Sequence, residues 1–163
     1  MSNAVGAAVF FLIAPATIAG AIQFVLTRRR VADPFLGSEF SRWPAAILLV
    51  AGLAVILDSF VRFVREGRGT PAPVAPPEHL VTRGPYRWVR NPMYLAVVSL
   101  IAAQALLFAS GMLLAYGVVV ALAFHTFVVG YEEPTLRRRF GAGYEVYAAE
   151  VRRWVPRAPR RGP

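Results

Sequence analysis

Four long apolar stretches, separated by clusters of arginine, constrain this chain more than any other feature of its sequence. They lie at about Ala4–Leu26, Trp43–Val64, Met93–Phe108 and Met112–Gly130. Each approaches the roughly 20 residues that an α-helix needs to cross a ~30 Å hydrocarbon core. A helix also satisfies its own backbone hydrogen bonds where no water can do so. The expected fold is therefore an all-α membrane protein with about four transmembrane helices. The third stretch is the shortest and has to stand nearly upright to span. A soluble domain of 163 residues that is 56% hydrophobic would lack the polar surface its size demands. No basic residue precedes the first stretch, and it exceeds the ~7–15-residue core of a signal peptide, so it reads as a retained helix.

The net charge of +9 arises from 18 basic residues, all of them arginine. In a soluble protein such a balance would raise nucleic-acid binding. Here the arginines lie between or after the apolar stretches, where they suit anionic headgroups and topology signals, and no nucleic-acid partner is expected. The loop after the first stretch holds four arginines, the segment from Arg62 to the third stretch holds six, and the tail holds eight. Four spans put the last two groups on one side, and the positive-inside rule makes that side cytoplasmic. The Arg28–Arg30 cluster runs against this arrangement. The absence of cysteine excludes disulfides, thiolate metal ligands and cysteine nucleophiles.

Only Ala109-Ser110-Gly111 separates the third and fourth stretches, which implies a tight helical hairpin. A hairpin returns the chain to the face it left, so the residues before Met93 and those after Gly130 are expected to meet. Residues 1–66 then form an N-terminal transmembrane helix pair. Residues 67–163 form a second half made of a Pro-rich loop, the hairpin and a C-terminal amphipathic interfacial helix. Gly67–Pro77 (GRGTPAPVAPP) is too rich in proline and glycine to be helical, and reads as a linker or as a strap over a pocket. From Glu132 to Trp154, apolar or aromatic residues at Leu136, Phe140, Tyr144, Tyr147, Val151 and Trp154 recur in helical steps. Arg137, Arg138, Glu145, Arg152 and Arg153 fall mostly on other faces, the pattern of a helix lying along a membrane surface. Gly141 and Gly143 would weaken or bend it.

The densest group of chemistry-bearing residues is Glu78–Tyr94, EHLVTRGPYRWVRNPMY. It contains a Gly84-Pro85 turn signal and the Asn91-Pro92 pair, with Pro92 suited to the first turn of the third helix and Asn91 to its cap. An interfacial loop anchored by Tyr86, Trp88 and Tyr94 accounts for this composition, and so does a ligand site. The second group is Glu132-Glu133. An acidic pair is unfavourable at a helix C-terminus. Either the pair opens the tail helix, with Pro134 in its first turn, or Glu132 faces a cationic or hydroxyl-rich ligand near Tyr86 and Asn91. Asp58 is an intramembrane acid that Arg62, one turn later, can pair. His125 lies seven residues before Glu132 and can share a helix face with it.

The run LVTRGPYRWVRNPMY, followed by EEPTLRRRFGAGYEVYAAEVRRWVP, resembles the isoprenylcysteine carboxyl methyltransferase and phospholipid methyltransferase group of membrane enzymes. The resemblance covers the C-terminal half, from Thr70 onward. It implies an S-adenosylmethionine-dependent methyltransferase; together with the arginine count, the expectation is a bacterial inner-membrane enzyme with its site towards the cytoplasm. By position, it implies that Leu80, Val81, Tyr86, Asn91, Pro92, Met93, Tyr94 and Glu132 bind the cofactor. No metal is implied, and the acceptor is small or lipid-like and enters from the bilayer. Asn91 stands where the carboxyl methyltransferases carry histidine, which leaves cofactor binding in place. Val128 stands where they carry a substrate-contacting arginine. Burying an anionic acceptor requires a paired cation, which valine does not supply. A neutral or amine-like acceptor is therefore expected, with His125 or Glu132 as the catalytic group that takes its proton. Two other classes suit such a chain. One is a membrane reductase using a nicotinamide cofactor, since sterol-reductase relatives resemble this C-terminal fold. The other is a non-enzymatic membrane scaffold.

Overall fold

The computed structural model describes residues 42–65 and 79–158. The first apolar stretch, Ala4–Leu26, and the Gly67–Pro77 segment lie outside the described residues. Helix α1 (Arg42–Arg65) is 24 residues long, with Pro44 in its first turn and Arg62 and Arg65 in its last. Those placements suit a proline's missing N–H and the negative end of the helix dipole. A short 3₁₀ turn, Gly84–Arg87, leads to α2 (Pro92–Leu107), which has proline at its first position.

The hairpin turn uses Phe108, Ala109 and Ser110, because Gly111 already belongs to α3 (Gly111–Phe127). Ala109 takes a left-handed conformation, φ 46°. This lets Ser110 N–H reach Ala105 O at 3.0 Å and Ala109 N–H reach Leu106 O at 3.4 Å, the Schellman pattern that satisfies the last carbonyls of a helix. The Ser110 hydroxyl then accepts from Leu113 N–H at 3.3 Å and caps α3.

Helix α3 continues without a break into a π-helical turn, Val128–Glu132, and then into α4 (Glu133–Phe140). Gly141 stops it. Its φ of 51° with ψ −128° is a conformation open essentially to glycine alone. Helix α5 (Ala142–Glu150) comes next, and Val151 returns to extended backbone. The single tail helix expected from Glu132 to Trp154 is thus two short helices and an extended end. Its apolar stripe is also not turned to a membrane surface. Tyr144, Tyr147 and Val151 are buried, packed against Leu80, Leu136, Phe140 and Ala148 of the same chain.

Helix α2 lies between α1 and α3. Small residues permit the close approach: a Cβ on Gly52 would sit 3.0 Å from Leu100, and one on Gly117 would sit 3.2 Å from Ile101. Val97, Ile101 and Val120 form the buried centre, flanked by Ile56, Val98, Tyr116 and Phe124. Outside it, Ile47, Val50 and Leu57 of α1 and Met112, Val118, Val119 and Leu122 of α3 are exposed. Apolar faces this extensive are at home against lipid.

Two helical runs are long and apolar enough to cross a membrane, α1 over Arg42–Ser59 and the continuous Gly111–Phe140 helix. At 16 residues, α2 is shorter than that standard, about 24 Å at 1.5 Å per residue. Among the described residues, the expectation of four spans therefore becomes two helices of spanning length and a shorter apolar one. No strand occurs among them.

Candidate functional site

The hairpin brings the two polar sequence groups to one end of the bundle. Tyr94, in the first turn of α2, donates its hydroxyl to Glu132 Oε2 at 2.8 Å, across 38 residues of sequence. Its ring packs on Phe124 of α3, with centroids 4.7 Å apart. The π turn decides which glutamate faces α2. Glu133 N–H bonds to Val128 O, five residues back, so the turn is wider than an α-turn and shifts the phase of α4 relative to α3. Glu132 then meets Tyr94, while Glu133 points the other way and is 3% exposed. Val128, at the start of the turn, is fully buried. A carboxylate has about four acceptor positions, so Tyr94 leaves Glu132 with capacity for a ligand's donors.

The loop before α2 closes over the same end. Tyr86 is buried in the 3₁₀ turn, and its carbonyl accepts from the Tyr147 hydroxyl at 2.8 Å. Burial first, and then the nearby Glu132 carboxylate, push the Tyr86 phenol well above the usual tyrosine range, while the buried Ser59 hydroxyl of α1 lies beside it. Burial likewise raises the Tyr147 phenol, which keeps it a donor. Leu80 packs on the Tyr144–Tyr147–Val151 cluster, Val81 and Pro92 are buried, and Met93 is half-buried. On α1, Asp58 is paired with Arg62 at 2.9 Å, as the spacing suggests. A groove of about 550 Å³ runs between α1 and α2, floored by Leu48, Val55, Leu95 and Ala96 and bordered by Pro85 and Trp88.

Asn91 corrects the sequence reading. It occupies the N-cap position of α2, but its side chain makes no capping bond. It donates instead from Nδ2 to the backbone oxygen of Arg153 at 3.2 Å. The extended end of the chain runs beside this loop, with Arg90 N–H to Arg152 O and Arg157 N–H to Trp88 O, both at 2.9 Å. A charge cluster fastens it. Arg153 binds Glu133 through Nε at 2.7 Å and through Nη2 at 2.9 Å. Arg90 lies 3.3 Å from the same carboxylate and donates to the Tyr144 hydroxyl at 3.2 Å. Sequence reasoning missed Arg90, Glu133, Tyr144 and Arg153 as a unit. The local signals were the Glu132-Glu133 pair and the Glu133–Arg137 step of four; nothing local links either to Arg153.

His125 is not gathered into this group. It is exposed, and its Nδ1 accepts from Trp154 Nε1–H at 3.0 Å. The seven-residue step to Glu132 assumes a regular α-helix, and the π turn between them breaks that phase.

No curated protein and no solved structure matches this chain. The phospholipid methyltransferase family matches residues 40–143, more than half of the chain. That stretch holds α1, the Tyr86–Tyr94 loop, the hairpin and the π turn with Glu132, and it stops just short of Tyr144. The chain belongs to the phospholipid methyltransferase family.

Proposed function

We propose that this protein is an integral membrane methyltransferase that uses S-adenosylmethionine and acts on a small or lipid-like acceptor entering from the bilayer, with its site towards the cytoplasm. The observation that carries the reading is the Tyr94–Glu132 bond, which joins the two sequence groups at one end of the hairpin. Membership of the family supports methyl transfer as the reaction class.

Leu80, Val81, Tyr86, Asn91, Pro92, Met93, Tyr94 and Glu132 are assigned to the cofactor. The donor set fits such a ligand. Glu132 has acceptor capacity for ribose hydroxyls or an ammonium group, Tyr94 offers an aromatic face to a sulfonium, and the buried Val81, Tyr86 and Pro92 exclude water. When bound, S-adenosylmethionine supplies an electrophilic methyl group, so the protein has mainly to align the acceptor and keep the site dry. The acceptor's apolar portion is assigned to the groove between α1 and α2.

Val128 supports a neutral or amine-like acceptor, because the buried valine offers no cation for an anionic one. An amine must lose a proton to attack, and Glu132 is the better placed of the two candidate bases. With its Nδ1 lone pair engaged by Trp154, a neutral His125 carries its hydrogen on Nε2 and has no free basic nitrogen.

Titration of purified protein with S-adenosylmethionine tests the reading. Glu132→Ala is expected to weaken binding about 5- to 150-fold, the ~1–3 kcal/mol of a lost buried polar partner. Unchanged affinity in a folded Glu132→Ala protein would sink the placement, and binding of a nicotinamide cofactor instead would favour a reductase. Labelled-methyl transfer into a total lipid extract, in competition with isoprenylated cysteine analogues, then identifies the acceptor. Efficient methylation of the prenylcysteine carboxylate, with no amine labelled, would show that Val128 has been misread.

A further inference from the structure

The C-terminal segment beyond the family-matched residues does more than cover the loop. Asparagine is among the best N-cap residues, yet Asn91 leaves its helix uncapped and gives Nδ2 to Arg153 O. The partner settles the orientation of the amide. A carbonyl oxygen can only accept, so the nitrogen must face it. Because the carboxamide is planar, Oδ1 is then presented on the other side as an acceptor. The orientation depends on where Arg153 stands, and Arg153 stands where Glu133 holds it, through two nitrogens at 2.7 and 2.9 Å. Glu133 is 3% exposed and has Arg90, Arg137 and Arg153 around it. An apolar contact would suffice merely to fasten the tail, and the Tyr144–Tyr147–Val151 cluster already provides one. A buried ion pair is a costly addition for adhesion, but a two-point guanidinium–carboxylate contact fixes direction as well.

We infer that Glu133 and Arg153 are positioning residues: they orient the Asn91 carboxamide so that its oxygen accepts from a donor of the bound cofactor. The inference rests on the cofactor role proposed above for Asn91. It assigns a function to a segment that lies outside the matched region, and it separates the two neighbouring glutamates, with Glu132 meeting the ligand and Glu133 setting its neighbour.

The chain has only two asparagines, Asn3 and Asn91. Side-chain ¹⁵N labelling of asparagine in detergent-solubilised protein therefore gives a spectrum that Asn3→Ser assigns at once. The wild type is expected to show an Asn91 carboxamide pair that exchanges slowly with solvent, and Glu133→Gln and Arg153→Lys to show it shifted towards free-amide positions and exchanging faster. Both variants are expected to lose about tenfold in S-adenosylmethionine affinity, the scale of one charged hydrogen-bond partner. In an Asn91→Ala background neither is expected to lose anything further, because the effect passes through that amide. If Glu133→Gln does not fold, Arg153→Lys, which keeps the charge and loses the two-point contact, carries the test. An unchanged Asn91 pair in a folded variant, or losses that add to that of Asn91→Ala, overturns the inference. A wild-type protein that binds no S-adenosylmethionine overturns instead the proposed function, and the carboxamide signals still report whether the pair orients Asn91.

Discussion

Tyr94 and Glu132 show what one hydrogen bond contributes when it joins distant parts of a chain. The phenol contributes both a ring packed on Phe124 and a hydroxyl that donates to Glu132, and the two roles can be separated. Tyr94→Phe keeps the ring. It is expected to preserve the fold, shown by an unfolding temperature within a few degrees of wild type, and to weaken S-adenosylmethionine binding by about 1 kcal/mol. A wild-type affinity in Tyr94→Phe would mean that the hydroxyl does not prepare Glu132 for a ligand. At this scale the sequence was informative where a residue's role is dictated by topology. A tight hairpin forces the chain before Met93 and after Gly130 together, and this brings Glu132, singled out by the acidic pair and the family resemblance, beside Tyr94. It was uninformative where the role depends on a partner from elsewhere. The Asn91-Pro92 pair has the form of a cap, and only the returning C-terminal segment, with the free carbonyl of Arg153, takes the side chain away. The shared face expected for His125 and Glu132 was lost for a different reason, since no residue pattern announces a π turn and a seven-residue step is meaningful only in a regular helix.

The helices themselves were legible because lipid imposes long apolar runs, and the turns were not, because turns depend on individual dihedral angles. The apolar stretches read as Trp43–Val64 and Met93–Phe108 became α1 and α2 within a residue or so at each end. The tail was misread because Leu136, Phe140, Tyr144, Tyr147 and Val151 keep helical spacing through a point where the chain changes direction. Periodicity records which residues are buried, not whether one helix or two bury them. Gly141 marked the break, with its φ of 51° and ψ of −128°. Gly141→Ala is expected to cost about 1–3 kcal/mol, measured as a fall in unfolding temperature, whereas Gly143→Ala, whose added Cβ meets nothing within 4 Å, is expected to cause no fall. The hairpin turn offers the opposite case. Ala109 holds φ at 46° where glycine is the usual residue, so Ala109→Gly is expected to raise stability by up to about 1 kcal/mol. A lowered unfolding temperature in Ala109→Gly would show that the left-handed turn is not strained.

For the whole molecule, the outward apolar faces of α1 and α3 and the arginine-rich end of the hairpin define a direction as well as an environment. The Ala109–Gly111 turn and the Tyr94–Glu132 end lie at opposite ends of α2. That helix spans about 24 Å, less than the ~30 Å of a typical hydrocarbon core. A hairpin of this length spans a bilayer only by thinning it locally or by drawing polar residues of its ends into the interface. The site end can do this readily, because the exposed Arg87, Arg139 and Arg152 belong to it and arginine side chains reach outward to headgroups while their stems stay in apolar surroundings. Arginine also bears on the orientation proposed above. Fourteen of the 18 in the chain come after the second apolar stretch begins, and under the positive-inside rule that bias favours a cytoplasmic site end. The chain has no cysteine, so single cysteines can report on each end without interference. Gly111, exposed at the start of α3 with open space around it, marks the turn, and Glu150, exposed at the end of α5, marks the site end. In intact cells an impermeant thiol reagent is expected to label Gly111→Cys and to spare Glu150→Cys, which should react only after the membrane is permeabilised. Labelling of Glu150→Cys in intact cells, with Gly111→Cys protected, would place the site on the outer face. A water-soluble cofactor made in the cytoplasm could not reach it there, so the same result would also count against the methyltransferase reading.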